Sequence, residues 1–259
     1  MDLLAEKPLN LANIRYALIR QEDTIIFKLI ERAQFPQNGT IYKPGAIPIK
    51  DFDGSFLDFV LEKSEQAHAL VRRYQSPDEY AFSSNLPEPI IPPLQYPSLI
   101  KADGVSVNHK IKEFYLEKIV PKLCESNVGG DQGERLENYG SAAVCDVECL
   151  QALSRRIHFG KFVAEVKFLA EREKYTKMIQ EKDIEGLTKG ITNAAVEQQV
   201  LARLEKKARN YGRDPADLDS AEAPGKVDVE TVVRMYENFV IPLTKEVEIE
   251  YLLRRLELD

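Results

Sequence analysis

Two cations lie in a short, regularly spaced stretch of the sequence. Steps of four, three and four residues join Arg156, Gly160, Val163 and Lys167. On an α-helix this spacing puts all four on one face, with Gly160 leaving space between two cations that point the same way. Such a pair could bind an acidic partner. Taken alone, however, the spacing is better explained by a basic stripe that faces solvent.

Two further pairs combine a neutral hydrogen-bonding residue with a carboxylate four positions later. They are Asn193 with Glu197, and Thr244 with Glu248. Because residues four apart share a helical face, both pairs could line one pocket. Each also has an ordinary explanation. Asn193 suits a helix N-cap and Glu248 suits an exposed helix position.

Three arginines could also bind anions. Arg15 is placed beside the apolar face of a predicted first helix, where its stem can cover the core while its head stays hydrated. Arg72 and Arg73 come at the end of a second predicted helix, where cations are favoured by the helix dipole. No Ser/His/Asp or Cys/His arrangement suggests covalent or hydrolytic catalysis. The residue pattern alone therefore leaves the function open.

Composition narrows the class of protein. The 259 residues carry a formal net charge of -7, which argues against a nucleic-acid binder. No apolar stretch approaches the roughly 20 residues that cross a bilayer, and no export signal is evident, so we expect no membrane partner and a cytoplasmic location. Three cysteines and three histidines in this pattern predict reduced thiols and no metal. The absence of a Gly-rich phosphate loop predicts no cofactor.

The elements that would position these residues are all predicted to be helices. Apolar residues recur at steps of three and four along most of the chain. The predicted helices cover residues 11 to 35, 56 to 73, 108 to 123, 141 to 171, 173 to 181, 183 to 189, 193 to 210 and 228 to the C-terminus. Pro242 should kink or restart the last one.

Three of the connections between these helices have a distinctive composition. Residues 76–97 contain a high density of proline, which predicts an extended surface connection. Residues 126–139 and 211–226 are rich in glycine and polar residues, which predicts flexible loops. No strand or internal repeat is evident. We therefore predict an all-α fold, a single-domain helical bundle with long amphipathic helices that spans residues 1–259.

Long strings of the sequence resemble those of eukaryotic chorismate mutases of the fungal and plant type. In order, the chain contains LNLANIRYALIRQEDTIIFKLIERAQF, GSFLDF, LVRRYQSPDEYAF, PPLQYP, NYGSAAVCDVECLQALSRRIHFGKFVAEVKF, ITNAAVE and VIPLTKEVEIEYLLRRLE. The resemblance covers nearly the whole chain. It implies an all-helical homodimer that rearranges chorismate to prephenate in phenylalanine and tyrosine biosynthesis.

The resemblance also implies an active site. The positions that match the family's pattern are Arg15, Arg156, Lys167, Asn193, Glu197, Thr244 and Glu248. The reaction is an intramolecular bond exchange, so the protein needs no nucleophile and must instead select a compact substrate conformer and stabilise separated charge. By the resemblance, Arg15 and Arg156 hold the two carboxylates, with support from Thr244 and Asn193.

The remaining implied roles concern the breaking bond and the ring. Lys167 would donate to the ether oxygen as that atom gains negative charge. Glu248 would be the second donor, which requires a protonated carboxyl and hence a raised pKa. Glu197 would bind the ring hydroxyl.

Many relatives are inhibited by tyrosine and activated by tryptophan at a site between subunits. The matching positions are Arg72, Arg73, Asn138, Gly140, Ser141 and Val144. Arginine could pair with the effector carboxylate. Val144 departs from the pattern, because fungal members carry a threonine there whose hydroxyl can meet the tyrosine phenol. We therefore expect weaker tyrosine inhibition here.

Two other functions compete with this one. A helical adaptor could bind an acidic partner through the cation pair, with no catalysis. A catalytically silent relative could retain only effector binding. Convergence of Arg15 with Thr244 and Glu248 on one buried pocket would disfavour the adaptor, and the presence of all seven pattern residues disfavours the silent relative.

Overall fold

The computed structural model describes residues 9–97, 99–101, 104–125, 130–211 and 225–258. Within these ranges the regular elements are helices, apart from an isolated bridge between Ile49 and Phe52. The predicted all-α fold is therefore confirmed. No helix in the described ranges combines the length and apolar character that crossing a bilayer requires.

The helices follow one another along the chain, with short turns between some of them and long connections between others. The α-helices are α1 (Leu11–Ala33), α2 (Phe56–Leu70), α3 (Asn108–Phe114), α4 (Val120–Glu125), α5 (Tyr139–His158), α6 (Gly160–Ala170), α7 (Arg172–Gln180), α8 (Ile184–Ile191), α9 (Ala194–Tyr211), α10 (Val229–Met235) and α11 (Ile241–Arg254). Turns of 3-10 helix cover Gly39–Tyr42, Arg73–Gln75, Leu136–Asn138 and Arg255–Leu258.

The first helix forms as its sequence predicts. The Asn10 side chain accepts a hydrogen bond from the Asn13 N–H at 2.9 Å, which satisfies one of the free donors at the helix start. Its apolar face, including Ile25 and Leu29, is buried in the main core against α5. This long contact fixes the position of both helices.

The predicted helix over 141–171 is wrong in one respect, because it is divided at Phe159 into α5 and α6. Phe159 has ψ -15°, away from the ordinary helical value of about -42°. Its ring packs on Phe162 in a small core cluster that includes Ile14 of α1. Gly160 follows, and glycine weakens a helix. Core packing thus interrupts a helix that periodicity alone predicts to be continuous.

Other boundaries also differ from the prediction. The second helix ends at Leu70 rather than residue 73, because Arg72 has φ 68° and left-handed backbone ends an α-helix. The connection over 76–97 contains no helix or strand, as predicted. Of the loop predicted over 126–139, residues 126–129 lie outside the described ranges, and α5 already begins at Tyr139. Residues 212–224 of the loop predicted over 211–226 likewise lie outside them.

Two prolines follow π-helical turns. Tyr115–Ile119 precedes Pro121, and Tyr236–Val240 precedes Pro242. Proline has no N–H to donate to the carbonyl four residues earlier, and a wider turn accommodates that missing bond without ending the helix. The restart predicted at Pro242 is therefore a π turn that joins α10 to α11.

A fully buried ion pair connects α1 to α5. The Arg32 Nε donates to Asp146 Oδ1 at 2.6 Å, and neither side chain is exposed. Asp146 also accepts hydrogen bonds from the hydroxyls of Tyr42 and Tyr115, each at 2.8 Å. Several donors thus compensate the desolvation of the carboxylate. The pair lies in the main core, away from the cavity described next.

Candidate active site

One cavity of about 320 Å³ opens between α1, α5, α6, α9 and α11. All seven residues predicted for the active site line it. They are Arg15 on α1, Arg156 on α5, Lys167 on α6, Asn193 just before α9, Glu197 on α9, and Thr244 and Glu248 on α11. Side chains that are up to 233 positions apart in the sequence therefore share one concave surface.

The two cations of the central stretch do not form a stripe that faces solvent. Arg156 is only 6% exposed, and its Nε and Nη1 are buried without hydrogen-bond partners. Its guanidinium lies 5.9 Å from the centre of the Tyr236 ring. Buried donors without partners are costly. An anionic ligand in the cavity would supply the missing acceptors.

Lys167 is half-buried, and its ammonium group donates hydrogen bonds to backbone carbonyl groups. Its Nζ donates to the carbonyl oxygens of Ile191 at 2.6 Å and Gly190 at 3.3 Å, at the end of α8. Burial lowers the pKa of Lys167, while the negative charge of Glu248 acts in the opposite direction. The ammonium is therefore oriented by the protein before any ligand binds.

Glu248 is the most strongly perturbed carboxyl of the cavity. It is 6% exposed, and its Oε2 has no hydrogen-bond partner. Burial raises the pKa of Glu248 from 4.5 to about 8, although the charges of Lys167 and Arg156 favour ionisation. The side chain is consequently mostly a neutral acid at pH 7, and a neutral acid can donate a hydrogen bond into the cavity.

Gly160 brings α11 to the cavity. The sequence suggested that Gly160 leaves space between Arg156 and Lys167, but α11 occupies that space. A β-carbon at this position would lie 2.8 Å from Thr244 Cγ2 and 3.1 Å from Glu248 Cγ. The missing side chain therefore permits the close approach of α6 and α11 that places Thr244 and Glu248 in the lining.

Of three further predicted residues, two lie at the rim of the cavity, and the third donates a hydrogen bond to a backbone carbonyl group. Arg15 and Asn193 are exposed at the cavity mouth. Asn193 does cap α9, because its Oδ1 accepts from the Val196 N–H at 3.1 Å, and its amide N–H groups are left for a ligand. The Thr244 hydroxyl donates to the Val240 carbonyl at 2.6 Å.

The sequence argument missed Lys245. This side chain lines the cavity, and its Nζ contacts the two carboxylate oxygens of Glu197 at 2.8 and 3.0 Å. It lies between Thr244 and Glu248, and the pattern of a neutral residue with a carboxylate four positions later does not include it. A search for opposite charges on neighbouring helices could have found it only after the pairing of α9 with α11 was known.

The residues predicted for effector binding are only partly together in one chain. Arg73 and Val144 line a groove of about 300 Å³ between α2 and α5. Arg73 donates to Glu79 at 3.1 Å and to Gln151 at 2.8 Å. Val144 is 50% exposed. This groove therefore has cationic and apolar walls that an amino acid could contact.

The other four effector positions lie elsewhere. The guanidinium of Arg72 donates to the Pro92 carbonyl. Asn138 lines a different cavity, of about 410 Å³, together with Arg135. Gly140 and Ser141 are exposed on the first turn of α5. A single chain therefore does not bring the six residues into one site.

The side chains that line the cavity with the seven predicted residues limit the chemistry that it can perform. Serine, cysteine and histidine are absent from its described lining. Among the described residues, no cluster of three or more His, Cys, Asp or Glu side chains is arranged to hold a metal ion. Fold and cavity together define an all-helical protein whose cavity is lined by arginine, lysine and a buried carboxyl group, a lining that suits an anionic ligand.

Comparisons with known proteins agree with this class. Residues 138–249 match the family model described as chorismate mutase type II. A chorismate mutase of Trichoderma parareesei is 56% identical over 253 residues, which is 97% of this chain and 95% of that protein. The chain belongs to the chorismate mutase family. It is an enzyme of the isomerase class.

Solved structures show the same fold. The Candida albicans chorismate mutase in complex with L-Trp superposes with a TM-score of 0.92 at 47% identity, covering 100% of this chain and 97% of that one. The chorismate mutase AtCM1, with tyrosine bound in its allosteric site, gives a TM-score of 0.81 at 41% identity, covering 97% and 98%. The helical architecture is therefore that of the family.

Proposed function

We propose that the chain converts chorismate to prephenate in the cavity that is lined by the seven predicted residues, as an early step of phenylalanine and tyrosine biosynthesis. The observation that carries this proposal is that one cavity contains two buried Arg156 donors without hydrogen-bond partners and the buried Glu248, whose Oε2 has no partner and whose raised pKa favours the neutral acid. Such a site fits a dianion that needs hydrogen-bond donors at a developing negative charge. No cofactor takes part.

Two arginines of the cavity bind the substrate, one of them buried and the other exposed. Arg156 is buried and Arg15 is exposed at the cavity mouth, so each guanidinium can bind one carboxylate through paired donors. The free amide N–H groups of Asn193 support this grip, and the Thr244 hydroxyl does so by donating its proton to the substrate in place of the Val240 carbonyl. Holding both carboxylates favours the compact conformer in which the reacting carbons meet.

Charge separation is stabilised by Lys167 and Glu248. As the carbon-oxygen bond breaks, the ether oxygen becomes negative, and it accepts hydrogen bonds from the Lys167 ammonium and the Glu248 carboxylic acid. Both donors are set in place before the reaction, so little reorganisation accompanies bond breaking. Glu197, which is in an ion pair with Lys245, accepts a hydrogen bond from the ring hydroxyl.

Regulation and assembly form a second part of the proposal. We propose that the chain is a homodimer, with tyrosine as inhibitor and tryptophan as activator bound between subunits. The relatives with L-Trp and with tyrosine in an allosteric site support this, as do the exposed apolar side chains of Val71 and Val144. A second subunit would supply contacts that one chain lacks.

Two expectations rest mainly on the sequence. We propose that residues 1–259 act as one domain, since α1, α5, α9 and α11 all line the same cavity. A single cooperative unfolding transition would support it, and two separate transitions would not.

We also propose a cytoplasmic location, which fluorescence microscopy of the tagged chain would test.

The decisive experiment is an absorbance assay of chorismate loss with prephenate identified as the product. We expect turnover by the purified chain, a loss of turnover in Arg156→Ala, and changes in rate when tyrosine or tryptophan is added. No chorismate loss would refute the activity. Turnover that responds to neither amino acid would refute only the regulation.

A further inference from the structure

The end of α8 holds the ammonium group of Lys167. An ammonium has three N–H donors, and two of them are directed at the carbonyl oxygens of Gly190 and Ile191. Carbonyl groups at a helix C-terminus carry partial negative charge and stabilise a nearby cation. The remaining donor is left for a ligand in the cavity. The position of this last helical turn therefore determines where that donor points.

Gly190 allows the last turn of α8 to lie where it does. A β-carbon at this position would be 2.9 Å from the Tyr175 hydroxyl oxygen, 3.3 Å from Cζ and 3.4 Å from Cε1. Tyr175 is 1% exposed and packs in a core cluster with Phe168 and Leu187, so its ring has little room to move. Even one added methyl group would thus separate α8 from α7.

Helix stability does not explain the glycine at position 190. Glycine within a helix is less favourable than alanine. Its φ lies outside the left-handed region, so backbone conformation does not require glycine here. What requires it is the close contact between the backbone of α8 and the Tyr175 ring.

We propose that Gly190 is a positioning residue for Lys167, which acts by letting the α8 carbonyls reach the ammonium group. The inference rests on the proposed function, since it assigns a purpose to the orientation of Lys167. In Gly190→Ala, displacement of the carbonyls turns the free N–H away from the ether oxygen. Turnover then falls, while substrate binding by Arg15 and Arg156 is retained.

The test measures kcat and KM for chorismate in four variants. Gly190→Ala should lower kcat at least tenfold and change KM less than threefold. In a Lys167→Ala background the same substitution should cause no further loss, because it acts through the missing ammonium. Gly39→Ala is the control, since its added β-carbon has its nearest neighbour at an ordinary 3.7 Å.

A relief variant tests the steric cause. Tyr175→Phe removes the oxygen that the new β-carbon would meet, so Gly190→Ala with Tyr175→Phe should regain at least threefold in kcat over Gly190→Ala. Wild-type kcat in Gly190→Ala, an additional loss in the Lys167→Ala background, or no regain in the relief variant would each overturn the proposal. Normal turnover in Lys167→Ala would instead refute the role given to Lys167 under the proposed function.

Discussion

Replacing Glu248 by glutamine tests the proposed chemistry most directly. The acid form of Glu248 donates to the ether oxygen, and that form is lost as pH rises through its pKa. Burial raises this pKa to about 8. Glutamine keeps a donor of similar shape but has no titrating proton. The variant should therefore lose the alkaline decline in turnover that the wild type shows.

The size of the effect follows from the raised pKa. With a pKa of about 8, roughly 90% of Glu248 is protonated at pH 7 and roughly 10% at pH 9. Wild-type kcat/KM, which reports the pKa values of the free enzyme, should therefore fall by about tenfold between these two pH values. In Glu248→Gln, kcat/KM should be lower at pH 7, because an amide is a weaker donor, but almost constant up to pH 9.

The assay is the initial rate of chorismate loss at substrate concentrations well below KM, from pH 6 to pH 9.5, which gives kcat/KM. Glu246→Gln is a matched control, because Glu246 lies on the same helix but pairs with Lys110 away from the cavity. The control should keep the wild-type decline. An unchanged alkaline decline in Glu248→Gln would mean that another group controls it, and the role of Glu248 would be wrong.

Stability should change with pH for the same reason. A carboxyl whose pKa is higher in the folded state favours folding fully below its unfolded pKa of 4.5, and this contribution is lost as pH rises to about 8. The full difference is on the order of 5 kcal/mol as an upper bound. Thermal unfolding should therefore show Glu248→Gln gaining on the wild type between pH 5 and pH 8. A constant difference in Tm across that range would contradict the buried neutral acid.

Four further predictions concern other parts of the molecule. Arg156→Ala should lower kcat/KM by about 100-fold or more, the effect of removing one preorganised charged donor; near-normal kinetics would contradict its role. Lys245→Met should raise KM several-fold, because its partner Glu197 loses its counterion; an unchanged KM would show that this ion pair does not contribute to substrate binding. Asp146→Asn should destabilise the fold by about 3 kcal/mol in denaturant unfolding, since it leaves a buried arginine unpaired; a loss under 1 kcal/mol would refute this. Val144→Thr should strengthen tyrosine inhibition about fivefold, the effect of one added hydrogen bond; an unchanged tyrosine titration would show that position 144 does not meet the phenol.

Local signals in the sequence predicted most of the fold. The Asn10 cap, the periodic apolar face of α1 and the proline at position 242 each act over a few residues, so their effects can be predicted without knowledge of the fold. The interruption at Phe159 could not be predicted in this way. It depends on packing between Phe159, Phe162 and a helix nearly 150 residues earlier.

The cavity was predictable in part. Spacing placed Arg156 with Lys167, and Thr244 with Glu248, on shared faces, and the structure brings both pairs to one surface. Burial of Arg156 and the contact between Lys245 and Glu197 depend on how the helices pair, which spacing within one helix does not contain. The effector positions stay a prediction, because the proposed site needs a second subunit.

The π turn at Tyr236–Val240 makes the cavity sensitive to chain length in a specific way. Such a turn amounts to one residue inserted into an α-helix. Removing a residue from it would leave a regular helix, but every later side chain would rotate by about 100° around the axis. Thr244 and Glu248 would then leave the cavity without any change in their identity. The length of this one helical turn thus determines the site as much as the side chains that line it do.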